Sequence, residues 1–210
     1  MESVRSIGGS CAGDDSRMDA KVRQDEEDGF DYEAGTEVFR TRRCVVRQIR
    51  LSDLDALYRI YAQPGVTDFI PDLYEWDEEV DYTKTYIRMI YGFYGYGMWI
   101  VEEKKTGEVI GRVGFDDREI PDGHGGMRRI LEFGYLIAPS HQGKGIATEV
   151  CKAALRYLFE TYEEDVVTSL IEPENDISIR FAGKLRFSPV GEVDLGKKRM
   201  LVYEYRHLDF

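Results

Sequence analysis

Cysteine is scarce in this 210-residue sequence: Cys11, Cys44 and Cys151 are all it has. Their odd number and wide spacing suit neither a disulfide framework nor a metal cluster, which leaves free thiols in a reducing compartment. Basic charge is also short. The formal net charge of −12 excludes a nucleic-acid binder, because affinity for a polyanion comes largely from Lys and Arg displacing condensed counterions. Long apolar runs are missing too: Met1–Ala20 has no apolar stretch of the kind a signal peptide needs, and Met89–Val101 is too short and too rich in Gly and Tyr to span a bilayer. No His, Cys or carboxylate cluster has metal-ligand spacing, so no metal is expected. These absences together predict a soluble, cytoplasmic protein with neither nucleic acid nor membrane as partner.

What is present is enough for one core. With 42% hydrophobic residues, the chain is long enough for a single domain plus a tail. The charge divides unevenly, since residues 1–40 carry eleven acids against five bases, half of the whole imbalance. That segment is rich in Gly, Ser and Asp with few spaced apolar residues, so it buries too little to offset the entropy of ordering. A flexible acidic tail over 1–40 and a folded domain over 41–210 are therefore expected, with order beginning near Cys44.

Periodicity then gives a series of elements. Val45, Val46 and Ile49 suggest a first strand, and Ser52-Asp53-Leu54-Asp55 resembles a capping box ahead of a helix carrying Leu54, Leu57, Tyr58 and Tyr61. A second helix is predicted from about Asp77, with Gly92 near its end. Three strand-like runs follow, Met98–Glu103, Val109–Phe115 and Arg129–Ile137, whose short connections imply antiparallel neighbours. A helix from Gly145 to about Tyr162 leads to a strand at Val166–Ile171, which a crossover of this kind makes parallel to the strand ending at Ile137. Asn175 can cap a short helix bearing Ile177, Phe181 and Leu185, and Val190–Val193 with Arg199–Tyr205 closes the chain as a hairpin.

Chemistry is concentrated where the strand ending at Ile137 passes through Gln142-Gly143-Lys144-Gly145-Ile146-Ala147 into a helix. Backbone N–H groups at a helix start lack intrahelical partners and sit at the positive end of the helix dipole, so they bind anions. A P-loop reading fails because Ala138 stands where its first Gly belongs and Gly145 where Ser or Thr belongs. A dinucleotide fingerprint is disfavoured by Thr148 in place of its third Gly and by the antiparallel strands ahead of the turn.

A third pattern fits. Gln142-x-x-Gly145-x-Ala147 resembles the pyrophosphate turn of the GNAT acetyltransferase superfamily. Glu132-x-Gly134-Tyr135 before it and Asn175-x-x-Ser178 after it resemble the branch that contains the ribosomal-protein N-terminal acetyltransferases. The resemblance runs from about Cys44 to Phe210. It implies a mixed, mostly antiparallel sheet of six to seven strands with about four helices, its central strands splayed around acetyl-coenzyme A.

On that resemblance, Gln142 and the backbone of Gly143, Lys144, Gly145, Ile146, Ala147 and Thr148 hold the cofactor's pyrophosphate. Leu136 and Ile137 offer amide groups to its pantetheine arm and to the oxyanion. Asn175 matches a pantetheine contact, although an N-cap residue needs no such role. Ser178 matches the position that approaches the coenzyme A sulfur, and its alternative is local capping. Gly134 leaves space beside Glu132, the first candidate base, whose alternative is a carboxylate paired with a neighbouring Arg. The aromatic run Tyr91–Trp99 is either a wall of the acceptor site or core packing. Leu185-Arg186-Phe187 departs from the branch's Leu-Gly-Phe, which puts the end of the short helix in question. The reading is an N-acetyltransferase acting on a small-molecule amine or a protein N-terminus, as monomer or homodimer. Its rival is a non-catalytic acyl-coenzyme A-binding module.

Overall fold

The computed structural model describes residues 29–207. The chain divides into two units, Met1–Asp31 and Tyr32–Phe210, and the sheet belongs wholly to the second. Most of the expected tail therefore lies outside the described residues, as does Cys11. Its last four residues do not fit the expectation: Glu37–Arg40 form strand β1, paired antiparallel with β2 (Cys44–Arg47). So short a strand with charged ends carries little pattern. What holds it is Phe39, packed against Trp99 at 5.9 Å and Tyr157 at 5.6 Å between ring centroids.

After β2 come helices α1 (Leu54–Tyr61) and α2 (Trp76–Tyr86), then β3 (Met98–Glu103), β4 (Val109–Pro121) and β5 (Met127–Ile137). Helix α3 (Ile146–Thr161) leads to β6 (Val166–Ile171), and α4 (Asp176–Lys184) to the hairpin β7 (Ser188–Leu195) and β8 (Lys198–Arg206). The eight strands, one or two more than expected, lie in the order β1-β2-β3-β4-β5-β6-β8-β7. Every neighbouring pair is antiparallel except β5 and β6, which the α3 crossover makes parallel. Among the described residues no helix is long and apolar enough to cross a membrane.

Alternation along the central strands divides the core between two faces. On one face Trp99, Phe115 and Phe133 meet Tyr157 of α3 and Phe187 beyond α4. On the other, Asp116 accepts a hydrogen bond from the hydroxyl of Tyr86 in α2 at 2.8 Å. Trp99, Phe115, Ile110 and Val113 are fully buried, and burying such a side chain is worth roughly 1.5–3 kcal/mol each. A buried fork joins the end of β2 to the start of α1: Arg47 donates to both oxygens of Asp53 at 2.7 Å.

Helix ends refine the sequence reading. Asp53 accepts the Arg50 N–H at 2.7 Å, so the capping box starts at Arg50, two residues ahead of Ser52, whose hydroxyl instead donates to Glu33. Helix α2 runs on through a π turn, Ile87–Tyr91, and stops at left-handed Gly95 rather than at Gly92. Helix α4 ends with Arg186 at φ 72°, the N–H of Phe187 donating to the Ala182 carbonyl and that of Arg186 to Gly183, each at 3.0 Å. This is the double bond pattern that glycine usually permits, here adopted by arginine at a cost of about 1–2 kcal/mol.

Candidate active site

Strand β5 builds the site by losing a neighbour. Its parallel partner β6 pairs with it at Glu132↔Thr168 alone, and Ser169 adds a side-chain bond to the Phe133 carbonyl at 3.0 Å. Past that point the two strands separate. On the other side the ladder continues, the Ala138 N–H donating to the Ile110 carbonyl at 2.8 Å. Alternation in an antiparallel ladder then turns the backbone groups of Leu136 toward β4 and those of Tyr135 and Ile137 toward the gap. The amide expected of Leu136 is thus engaged in the sheet; the residue still lines the gap, and Tyr135 supplies the second open amide.

From the gap a cleft of about 590 Å³ extends to the turn before α3, lined there by Gln142, Gly143, Gly145, Ile146, Ala147 and Thr148. Gly145 is the N-cap of α3 at φ 76°, and no side chain caps the first turn, so its leading N–H groups are left for an external acceptor. Gly143 is also left-handed, at φ 71°, and a Cβ there would meet nothing within 4 Å. Conformation, not room, is what calls for glycine at that position. An uncapped helix start opening into a cleft beside two open strand amides fits a ligand with an anionic head and an amide-bearing arm, as coenzyme A has.

Two of the expected turn residues act differently. The Gln142 side chain donates to the Ile137 carbonyl at 2.9 Å, tying the turn back to the strand end. Lys144 does not line the cleft, and its carbonyl accepts from Arg43 at 2.7 Å. Arg43, at the start of β2, is a residue that reading the sequence missed. Its backbone N–H and its Nε each reach Glu149, in the first turn of α3, at 2.8 Å. Burial opposes ionisation of Glu149, but the bonds from Arg43 and Thr41 outweigh it and hold the carboxyl below its ordinary range. One guanidinium thereby fixes both the turn and the helix that follows.

The cleft continues into a second chamber of about 370 Å³ that shares Tyr135, Asn175, Ser178 and Phe181 with the first. Here Glu132 sits 2.5 Å from Nε of Arg118. Both readings of Glu132 therefore meet in one place: it is an ion-paired carboxylate, and it faces the cleft. Burial pushes its carboxyl up, Arg118 pulls it down, and Asp116 across the ladder adds to the rise, leaving it above the ordinary carboxylate range. The space expected beside Gly134 is filled by Met98, whose sulfur lies 3.5 Å from where a Cβ would stand.

Asn175 caps α4 by accepting the Ser178 N–H at 3.0 Å, so its oxygen is engaged while the residue still lines both chambers. Tyr135 and Ser178 both line the two chambers, and burial pushes the Tyr135 phenol up to about 12, with Ser178 working against the rise. In sequence Tyr135 stands only as the last residue of Glu132-x-Gly134-Tyr135, with no role of its own, and in the fold it lines both chambers beside the gap. The run Tyr91–Trp99 lines neither chamber; Tyr91, Tyr96 and Trp99 are buried in the core. Phe69 and Ile70, from the segment between α1 and α2, line both chambers, and Pro71 the second. Cys44 and Cys151 are buried free thiols, their pKa values raised chiefly by burial, and neither lines the cleft.

An open mixed sheet with a splayed parallel pair and an uncapped helix start at the splay defines a class. The sequence agrees: the family model for the acetyltransferase (GNAT) domain matches residues 43–188, and the chain belongs to that family. It is similar to the uncharacterized protein YkkB of Bacillus subtilis, 34% identical over 111 residues, a match covering 53% of this chain and 62% of that protein. It is also similar to the uncharacterized N-acetyltransferase p20 of Bacillus licheniformis, 29% identical over 158 residues that cover 74% of this chain and 84% of that one. In fold it resembles a putative ribosomal-protein-serine acetyltransferase from Vibrio cholerae, with a TM-score of 0.65 at 19% identity, covering 82% of this chain and 99% of that chain.

Proposed function

We propose that this protein transfers the acetyl group of acetyl-coenzyme A to a primary amine by direct attack. One observation carries the reading: a single cleft runs from the uncapped start of α3, past Tyr135 and Ser178, to Glu132. An anion site and a carboxylate of raised pKa at opposite ends of a small-molecule-sized cleft suit a reaction that holds a phosphorylated donor and deprotonates an acceptor.

Bound acetyl-coenzyme A supplies the activated acyl carbonyl and a thiolate leaving group. The chain supplies the rest. The acceptor amine attacks in its neutral form; Glu132 takes the proton that its nitrogen loses as the C–N bond forms, directly or through a water, and a proton reaches the departing sulfur as the C–S bond breaks, so that free thiol leaves. The open amide N–H groups of Tyr135 and Ile137 would donate to the carbonyl oxygen, where negative charge develops as the C–N bond forms and is lost again as the C–S bond breaks. Ser178 and Tyr135 present a hydroxyl pair to the sulfur. A phenol at about 12 keeps its proton against a thiolate whose acid titrates near ~8.5, so Tyr135 stabilises by hydrogen bonding rather than by giving up its proton.

The test pairs thermal melting with thiol release. Acetyl-coenzyme A at a hundredfold excess over its Kd should stabilise the protein by about 2.7 kcal/mol, and Gly145→Val, which forces a β-branched residue into a left-handed position, should remove that gain. Free thiol should then appear on adding an amine. A melting shift without thiol release from any of a broad amine panel would reject catalysis and leave a binding module; no shift at saturation would reject both.

A further inference from the structure

The charged residues that line the second chamber fall into two pairs, with Asp116 a further acid across the ladder from Glu132. Arg118 Nε lies 2.5 Å from Glu132, and Lys198 Nζ lies 2.5 Å from Glu172. These two pairs are all the charged residues that line it, and the remaining wall includes Phe69, Ile70, Leu195 and Met200. The chain's large acidic surplus is therefore not gathered here.

This pairing constrains the acceptor. Arg118 holds Glu132 through one oxygen, so an acceptor ammonium can approach the other while a carboxylate on the same acceptor competes for the half-exposed guanidinium. A simple amine or diamine brings only positive charge and gains nothing from Arg118 beside it. A peptide N-terminus brings a neutral amide next to its amine and does no better. A free α-amino acid carries a carboxylate one carbon from its ammonium, so both partners of the Arg118–Glu132 pair can exchange at once, with charge conserved.

We propose that the acceptor is a free α-amino acid with an apolar side chain, Arg118 holding its carboxylate while Glu132 receives its amine. The inference rests on the acetyltransferase reading of the same cleft and goes further by naming the substrate. Arg118 is half exposed, reaching in from β4, so its replacement leaves the core intact.

The experiment measures kcat/KM for leucine, methionine and phenylalanine, each beside its carboxamide and its decarboxylated amine. The carboxamide stands in for a peptide N-terminus. The wild-type protein should favour the free acids by about tenfold or more, the size of one charge-assisted hydrogen bond. Because the amines differ in basicity, the deciding quantity is how that ratio changes with the protein. Arg118→Gln should collapse it toward one, and Arg118→Lys should restore part of it. Carboxamides or plain amines turned over as well as the acids by the wild type would overturn the inference while leaving the acetyltransferase reading intact, as would a ratio that Arg118→Gln leaves unchanged. If every acceptor in the set fails while thiol is released from another amine, the inference falls; if none of any class reacts, the acetyltransferase reading falls with it.

Discussion

Glu132 is pulled three ways: burial and Asp116 favour the neutral acid, Arg118 the carboxylate, and the outcome lies above the ordinary range. A base must be deprotonated to work, so activity that depends on Glu132 falls as pH drops through that raised pKa and is restored above it. With a weakly basic acceptor, already neutral at pH 6, the acid limb of kcat/KM should lie above ~4.5, and Glu132→Gln should abolish both the limb and most of the rate, about a hundredfold or more. An unchanged limb in the variant would show that another group titrates. Glu132 was legible in the sequence because strand alternation marks it; its partner was not, since Arg118 lies fourteen positions away across a hairpin whose register only the folded sheet defines. Tyr135 was hidden for a different reason: its chemistry comes from the gap next to it.

At the scale of elements, the anion turn is the most local feature of the site. Gly143 and Gly145 stand two residues apart directly before the apolar stripe of α3, so their spacing shows a glycine turn into a helix, and the resemblance supplied its cofactor reading. What holds the turn is not local. Arg43 reaches Lys144 and Glu149 across more than a hundred residues, and nothing near Arg43 in sequence distinguishes it from Arg42. Arg43→Met should loosen the turn and raise KM for acetyl-coenzyme A about tenfold, the equivalent of one charge-assisted bond. S-acetylpantetheine, which lacks the pyrophosphate, is the control donor: its KM should change little. Equal losses with both donors would mean that Arg43 supports the fold rather than the turn. Strand β1 escaped notice by the same logic, being defined by Phe39 packing on Trp99 and Tyr157 instead of by a pattern of its own.

At the scale of the whole molecule, the sheet is continuous except at one seam. The antiparallel run of β3, β4 and β5, the lone parallel pair and the crossover through α3 followed from element order and connection length, whereas the place of β8 between β6 and β7 and the point where β5 and β6 part did not, because each depends on which backbone groups find partners. On the proposed reading, the seam is where acetyl-coenzyme A adds a missing neighbour. Leu136 is bonded into the β4 ladder, while the amides of Tyr135 and Ile137 face the gap. Amide hydrogen exchange resolved by residue should therefore find Leu136 slow with or without ligand. Tyr135 and Ile137 should be fast in the free protein and slow, by at least about tenfold, when acetyl-coenzyme A is bound. Protection of all three in the free protein would mean that the seam is closed and that the ligand must open it. Protection of Leu136 only on binding would mean that the β4 ladder itself forms late, and the parity argument for the open amides would fail.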